Sequence, residues 1–324
     1  MKAWVIRKRG EIGDIEYIDL PEPAVGPGEV VVRVKAAAVN PADLKVISGK
    51  KGGKFLHSGK SPIRLGYDFS GIVEKRGENV PAFHPGDEVF GFLPYTTSTR
   101  EGSFAQSVAV RTETIARKPT MLGHVAAASA ATVASTALQS LVGFGGIQRG
   151  QSVLINGASG GVGSFAVQIA RSMGATVWGT CSVSNIDYVR SLGAQHVLDY
   201  RETNLGRLFD KFDIVFDAAA TTSFAACAGI MKPKGVYITL LPSPSLIGGM
   251  LRTLLSARKC AVCIVKPRTS TLQAVAQMFE EGKLNAPIAA TFPIHDLPKA
   301  LETLRAGGVK GKIGLIAEDQ VFSR

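Results

Sequence analysis

The chain predicts an α/β protein of two bodies, a β-barrel-like body and a doubly wound parallel sheet flanked by helices. Three observations predict it. The length, 324 residues, exceeds one ordinary single-core domain. From residue 1 to about 120, short strand-like runs alternate with Gly and Pro turn signals. From near residue 121 to near 265, apolar strands alternate with Ala-rich helical segments, the pattern of βαβ units.

In the first body, Met1 to Ile6 reads as a strand from the start. Pro21 to Gly28 is turn material, and Val30 to Lys35 alternates as a half-buried strand does. Gly71 to Glu74, Asp87 to Gly91 and Ser103 to Val110 are further short strands. The Gly- and Lys-rich segment Gly49 to Lys60 predicts a mobile surface loop, with His57 solvated on it. Val125 to Ile147 is apolar and Ala-rich, but Ser, Thr, Gln and Gly interrupt it, so a buried helix is expected rather than a membrane span.

The second body begins with the strand Ser152 to Asn156, a helix from Val162 to Met173 and the strand Thr176 to Thr180. A helix at Asp187 to Leu192 and strands at His196 to Leu198 and Asp213 to Asp217 follow. A helix from Phe224 to Met231 precedes the strand Gly235 to Leu240, and Pro242 to Gly249 reads as a loop. Amphipathic helices at Thr271 to Glu281 and Leu297 to Arg305 and the strand Lys312 to Ile316 close the chain.

Composition narrows the class. Hydrophobic residues make up 45% and charged residues 19%, which fits a packed globule. The net charge of +11 raises a nucleic-acid or membrane partner, but Lys and Arg are scattered without interleaved aromatics, so neither is expected. A basic surface also attracts a multiply phosphorylated small molecule. Cys260 and Cys263 have C-x-x-C spacing, but no second pair completes a tetrahedral zinc site. No apolar h-region opens the chain, and a cytoplasmic location is expected, a processed organellar form being the alternative.

The segment Ser152 to Gly163 carries the most chemistry. A buried strand runs into a turn with Gly157, Gly160, Gly161 and Gly163, and the turn runs into a helix. Such a turn lets backbone approach a pyrophosphate, and the helix N-terminus offers unpaired N–H groups to the anion. Strand, turn, helix and next strand occur in order, which is the context a dinucleotide site needs. About 20 residues on, where an acid would hold the ribose hydroxyls of NAD, the chain reads Thr180-Cys-Ser-Val-Ser-Asn185. Without an acid, and with Ser182, Ser184 and Asn185 as donors, NADPH is the expected cofactor. Tyr200 and Arg201, after the third strand, are candidates for its adenosine phosphate end.

Seven ordered segments carry a resemblance across essentially the whole chain: Ala38 to Lys45, Gly66 to Val73, Pro85 to Gly91, Glu101 to Ala105, the Gly-rich turn, Ser191 to Ala194 and Gly311 to Ile313. The sequence resembles the zinc-free quinone oxidoreductases of the medium-chain dehydrogenase/reductase superfamily. Thr180 to Ala194 is similar to the branch that includes the plant chloroplast-envelope quinone oxidoreductase and the mitochondrial reticulon-interacting protein. The resemblance implies a GroES-like β-barrel domain from residues 1–120 and 266–324, a Rossmann NADP-binding domain from 121–265, and an active site in the cleft. Zinc-dependent members carry Cys where this chain has Asn40 and a His-Glu pair where it has Tyr67 and Asp68, so no metal is expected.

The resemblance implies roles residue by residue. Asn40 faces the nicotinamide ribose and substrate, and Tyr67 lines the hydride path. Thr136 contacts the nicotinamide. Gly160, Gly161 and Val162, with Gly157 and Ser159, hold the pyrophosphate, and Ser182, Ser184, Asn185 and Tyr200 the adenosine phosphate. Leu240 and Lys312 complete the cofactor set, Lys312 closing over it. Many relatives carry Lys at the position of Asn185. Tyr67, Lys45 and solvent are the candidate proton donors. The expected activity is NADPH-dependent reduction of a small quinone or α,β-unsaturated carbonyl. A 2-enoyl thioester reductase and a non-catalytic NADPH-binding scaffold are the alternatives. A homodimer pairing its Rossmann sheets edge to edge is implied as well.

Overall fold

The computed structural model describes residues 1–242, 244–253 and 256–317, and the chain divides into two compact units. The first takes Met1–Thr132, Lys266–Glu281 and the chain from Ile288 onward; the second takes Val133–Val265 and Gly282–Pro287. The first division falls after Thr132, inside the helix His124–Leu138, not at the change of texture near residue 121. The cause is local: Thr132 is tied by its backbone N–H and hydroxyl to Asp68 of the barrel. Gly282–Pro287 joins the second unit because Gln168 and Asn285 exchange two hydrogen bonds, of 2.7 and 3.1 Å.

In the first unit a seven-stranded sheet is built around the strand Glu29–Val39. This strand pairs antiparallel with Asp68–Arg76, Lys312–Ile316 and Ser107–Arg111. It is longer and more buried than its alternation predicts, because neighbours use both of its edges and Val30, Val31 and Val32 are fully buried. Phe69, Phe104, Val32 and Leu315 lie in the barrel core. The indole of Trp4 donates to the Ile294 carbonyl over 2.8 Å, tying the first strand to a segment near the chain's end.

The second unit is a six-stranded all-parallel sheet. In chain order its strands are Ser152–Asn156, Thr176–Cys181, His196–Asp199, Phe212–Asp217, Met231–Thr239 and Lys259–Val262. Across the sheet they lie 3-2-1-4-5-6, so the order reverses beside the strand that ends at Asn156. The segment expected as a loop at Pro242 to Gly249 instead enters a helix, Pro244–Thr253. The segment His124–Phe144 is long and apolar enough to cross a membrane, yet Ala127, Ala130, Ala131, Ala134 and Ala137 are fully buried in the fold.

Candidate functional site

The Gly-rich turn stands at the sheet's reversal point. Gly157 has φ +81°, a conformation that only glycine adopts readily. A Cβ on Gly163 would lie 2.1 Å from the Gly157 carbonyl oxygen, so helix and turn meet at a distance no side chain permits. Gly160 differs: a Cβ there meets nothing nearer than 3.5 Å, so the space over it is open. The helix Gly161–Ser172 starts here with no side-chain cap, and Ser164 makes the first helical bond, to the Gly160 carbonyl over 2.9 Å. The N–H groups of Gly161, Val162 and Gly163 therefore have no intrahelical partner. An open cradle of unpaired donors fits a pyrophosphate.

The turn is braced from beneath. The Gly157 N–H donates to Thr180 Oγ1 over 3.1 Å, and the Thr180 hydroxyl donates to Asn156 Oδ1 over 2.6 Å. Asn156 in turn donates to Asp217 over 2.7 Å, and Asp217 also accepts from Thr222 N and the Tyr237 hydroxyl. Asp217, a buried acid beneath the cradle, is thus saturated with donors.

At the carboxyl ends of the second and third strands, the Tyr200 N–H donates to the Cys181 carbonyl over 3.1 Å. Tyr200 and the Ser182–Ser184 pair, with hydroxyls 3.1 Å apart, therefore share one corner. The Arg201 guanidinium lies over the Tyr200 ring, 5.7 Å from its centre. Asn185 is turned away from this corner: it is buried and donates to Ser159 Oγ over 3.2 Å, bracing the turn. Leu240 is half-buried just after the fifth strand. Thr136 is buried in its helix with its carbonyl 4.0 Å from the Cys263 thiol.

The first unit holds a buried polar network. Lys312 donates to the Val39 carbonyl over 2.8 Å, to Asn40 Oδ1 over 2.6 Å and to Asp68 Oδ2 over 3.3 Å. All three ammonium hydrogens of Lys312, a residue expected to close over the cofactor, have acceptors within its own unit. Asn40 Nδ2 donates to Asp68 Oδ2 over 2.9 Å. The amide orientation of Asn40 is fixed by chemistry, its oxygen facing a pure donor and its nitrogen a carboxylate. Asp68 Oδ1 accepts the Thr132 N–H and hydroxyl. The Thr132 oxygen lies 3.4 Å from the hydroxyl of Tyr95.

Two candidate proton donors differ in setting. Tyr67 is buried, its hydroxyl donates to the Leu56 carbonyl over 2.8 Å, and burial holds that proton far more firmly than usual. Lys45 is half-buried on the helix Pro41–Ser48; burial, and then nearby Lys51, draws its ammonium below the ordinary lysine range. Asp43, on the same helix, accepts the Asn40 N–H over 2.7 Å, while its Oδ1 has no hydrogen-bond partner. Burial pushes its carboxyl up to about 7, against the pull of the Asn40 N–H and of Lys312.

His57 corrects the sequence reading. It is 1% exposed, with both ring nitrogens 3.0 Å from carbonyl oxygens, those of Ser58 and Glu101. The loop composition concealed a packed side chain. Sequence reasoning also missed Asp43, Thr132 and Tyr95. Only Asp43 left a signal, an acid three residues after an N-cap Asn.

Comparison with known proteins agrees with this geometry. Residues 26–180 match the family model described as alcohol dehydrogenase GroES-like domain, and residues 192–315 the one described as zinc-binding dehydrogenase. The mitochondrial NAD(P)H oxidoreductase RTN4IP1 of Danio rerio is 32% identical over 99% of this chain and 92% of its own. Trans-enoyl reductase pgmF of Aspergillus terreus is 32% identical over 91% of this chain and 88% of its own. The quinone oxidoreductase structure from Coxiella burnetii superposes with a TM-score of 0.87 at 28% identity, covering 98% of this chain and 99% of that one. The metal implied by the second family description does not fit Asn40, Tyr67 and Asp68. Their polar atoms are engaged by Lys312, Leu56 and Thr132, and Asn and Tyr are poor zinc ligands.

Three outcomes follow from these contacts. Gly160→Val should leave the thermal midpoint unchanged yet abolish NAD(P)H binding by calorimetry, whereas Gly163→Val should lower the midpoint itself. Lys312→Met should cost about 3–5 kcal/mol in urea unfolding, because the Asp68 carboxylate is left buried without its cation, and adding Asp68→Leu should recover much of that loss. Asp43 binds its proton more tightly folded than unfolded, so between its ordinary value of 3.8 and about 7 it makes stability fall as pH rises. Asp43→Asn should remove a slope of up to about 1.4 kcal/mol per pH unit in that window, read from unfolding curves across it.

Proposed function

The chain belongs to the medium-chain dehydrogenase/reductase superfamily, and from that premise we propose that it is an NADPH-dependent, zinc-independent reductase of quinones or α,β-unsaturated carbonyls. The observation that carries the proposal is a contrast between the two units. One presents an open cradle of N–H groups without intrahelical partners; in the other, two of the positions that hold metal in zinc-dependent members, Asn40 and Asp68, are tied to Lys312, and the third, Tyr67, to the Leu56 carbonyl. Without Lewis-acid polarisation, an alcohol is a poor hydride donor, whereas a quinone or enone accepts hydride without metal help. NADPH is favoured over NADH because Ser182, Ser184 and Asn185, with no acid among them, follow the second strand, and Arg201 stands with Tyr200 at the end of the third.

The bound dinucleotide supplies the hydride. The protein's part begins with the helix N-terminus, which holds the pyrophosphate at Gly160, Gly161 and Val162. Hydride addition leaves an enolate or hydroquinone anion, and a proton must follow. Tyr67 keeps its hydroxyl hydrogen on Leu56, so it lines the pocket rather than donating. Lys45 is the better donor, because its half-buried ammonium releases a proton more readily than an exposed lysine does. A homodimer belongs to the same proposal: Lys259–Val262 is the last strand of its sheet, and among the described residues no strand pairs with its outer edge.

A second reading, 2-enoyl thioester reduction, draws support from the similarity to a protein named as a trans-enoyl reductase. Both readings place hydride on a conjugated carbon. Steady-state oxidation of NADPH and of NADH, with phenanthrenequinone, a simple enone and a crotonyl thioester as acceptors, separates them. We expect a preference for NADPH of about tenfold or more in kcat/KM, worth some 1.4 kcal/mol, with no effect of EDTA. Lys45→Met should lower kcat on the enone by about a hundredfold with NADPH affinity unchanged, while Tyr67→Phe stays near wild type. Faster thioester turnover would shift the substrate, and failure to bind NADPH would overturn the proposal.

A further inference from the structure

We propose that Tyr95 is a preorganised stacking platform for the acceptor, selecting planar conjugated ring systems over small flexible enones. The inference rests on the reductase reading above and concerns the choice of substrate at that site.

Tyr95 follows the strand Glu88–Phe92 and is held at two points. One ring face lies on Tyr67, with centroids 4.2 Å apart and planes 26° from parallel. Tyr67 is itself anchored: it is 1% exposed, bound through its hydroxyl to the Leu56 carbonyl, and met edge-on by His57 at 6.2 Å. At its tip, the Tyr95 hydroxyl lies 3.4 Å from Thr132 Oγ1. The Thr132 hydroxyl donates to the Asp68 carboxylate, so its oxygen can only accept from Tyr95. Phe92, tilted 39° at 6.4 Å, limits the ring on another side.

Tyr95 is nevertheless only half-buried. Tyr67 covers one face of the ring, so a stacking acceptor would take the opposite face. A ring fixed by a stack and a tip contact has little rotamer freedom left to lose when a ligand arrives. Its face is electron-rich, and an electron-poor fused-ring quinone is the complementary partner in offset stacking. A short acyclic enone offers too small a π-surface to benefit. The hydroxyl, directed to Thr132, has no part in the chemistry, and the ring alone sets the preference.

Kinetics with phenanthrenequinone and with methyl vinyl ketone, on wild type, Tyr95→Phe and Tyr95→Leu, test this. Loss of one stacked ring pair corresponds to roughly a three- to tenfold weakening. Tyr95→Leu should therefore raise KM for the quinone by about that factor, leave KM for the ketone and both kcat values nearly unchanged, and bind NADPH as wild type does. Tyr95→Phe, which keeps the ring, should match wild type on both acceptors. Equal losses on both acceptors in Tyr95→Leu, or a fall in kcat in Tyr95→Phe, would overturn the platform. Calorimetric titration of phenanthrenequinone into the NADP⁺-loaded protein, where no turnover occurs, separates the two layers. Weaker quinone binding by Tyr95→Leu supports the platform even if the enzyme proves to act on another acceptor. Unchanged binding refutes it even if quinone reduction is rapid.

Discussion

The ion pair between Lys312 and Asp68 organises the barrel unit. Taking both charges out of water is costly, and the pair is tolerable only because each remaining valence is filled. Lys312 has three acceptors, and Asp68 accepts from Asn40 and Thr132 besides. The geometry follows from saturation. Asn40 cannot flip its amide without placing donor against donor, and the helix bearing Thr132 cannot slide without stranding a buried carboxylate oxygen. The tip of Tyr95 is fixed at one remove, through Thr132. The pair also closes the chain on itself, joining its last described strand to residues near 40 and 68 and so making the C-terminal segment part of the barrel.

The second unit follows the opposite strategy. Its functional groups are those left unsaturated by helix geometry, the N–H groups at the start of Gly161–Ser172. For an anion to sit there, nothing negative can be unsatisfied beneath it. Asp217 meets that condition because Asn156, Thr222 and Tyr237 all donate to it. One unit thus offers unmet donors to a phosphate, while in the other Asn40 and Asp68 are already engaged by Lys312 and Thr132. That division is what the proposed preference for acceptors already activated by their own conjugation rests on.

The legible parts of this fold are those in which each residue does a local job. The Gly-rich turn could be read because Gly157 needs a positive φ and Gly163 needs a missing Cβ, and neither depends on distant chain. Five of the six parallel strands followed from period and spacing; the short sixth, Lys259–Val262, and the order across the sheet come from the structure. Reading failed where tertiary closure overrode composition. The segment Gly49 to Lys60 looks solvated by its Gly and Lys content, yet Arg9 reaches across to the carbonyls of Val46 and Gly53 and His57 is buried between carbonyls. Pro and paired Gly suggested a loop where the helix Pro244–Thr253 forms. Lys312 was visible as a motif residue, but its partners lie more than 240 positions away in the chain, beyond any local pattern.

The adenosine corner shows how one inward turn changes the meaning of a sequence. Asn185 stands where many relatives are expected to carry Lys, and as a string of letters it reads as a weaker phosphate donor. In the fold it is withdrawn from the corner and bonded to Ser159, so its contribution is to the shape of the pyrophosphate turn. Under the proposed NADPH preference, discrimination of a 2′-phosphate then falls to the residues that remain. Ser182 and Ser184 offer hydroxyls without charge, and the cation comes from the third strand's exit, where Arg201 lies over Tyr200. A stacked guanidinium is a planar, permanently charged donor fork, better matched to a phosphate than a flexible ammonium. A change from Lys to Asn in the first loop is thereby compatible with NADPH preference, provided the second loop supplies the charge.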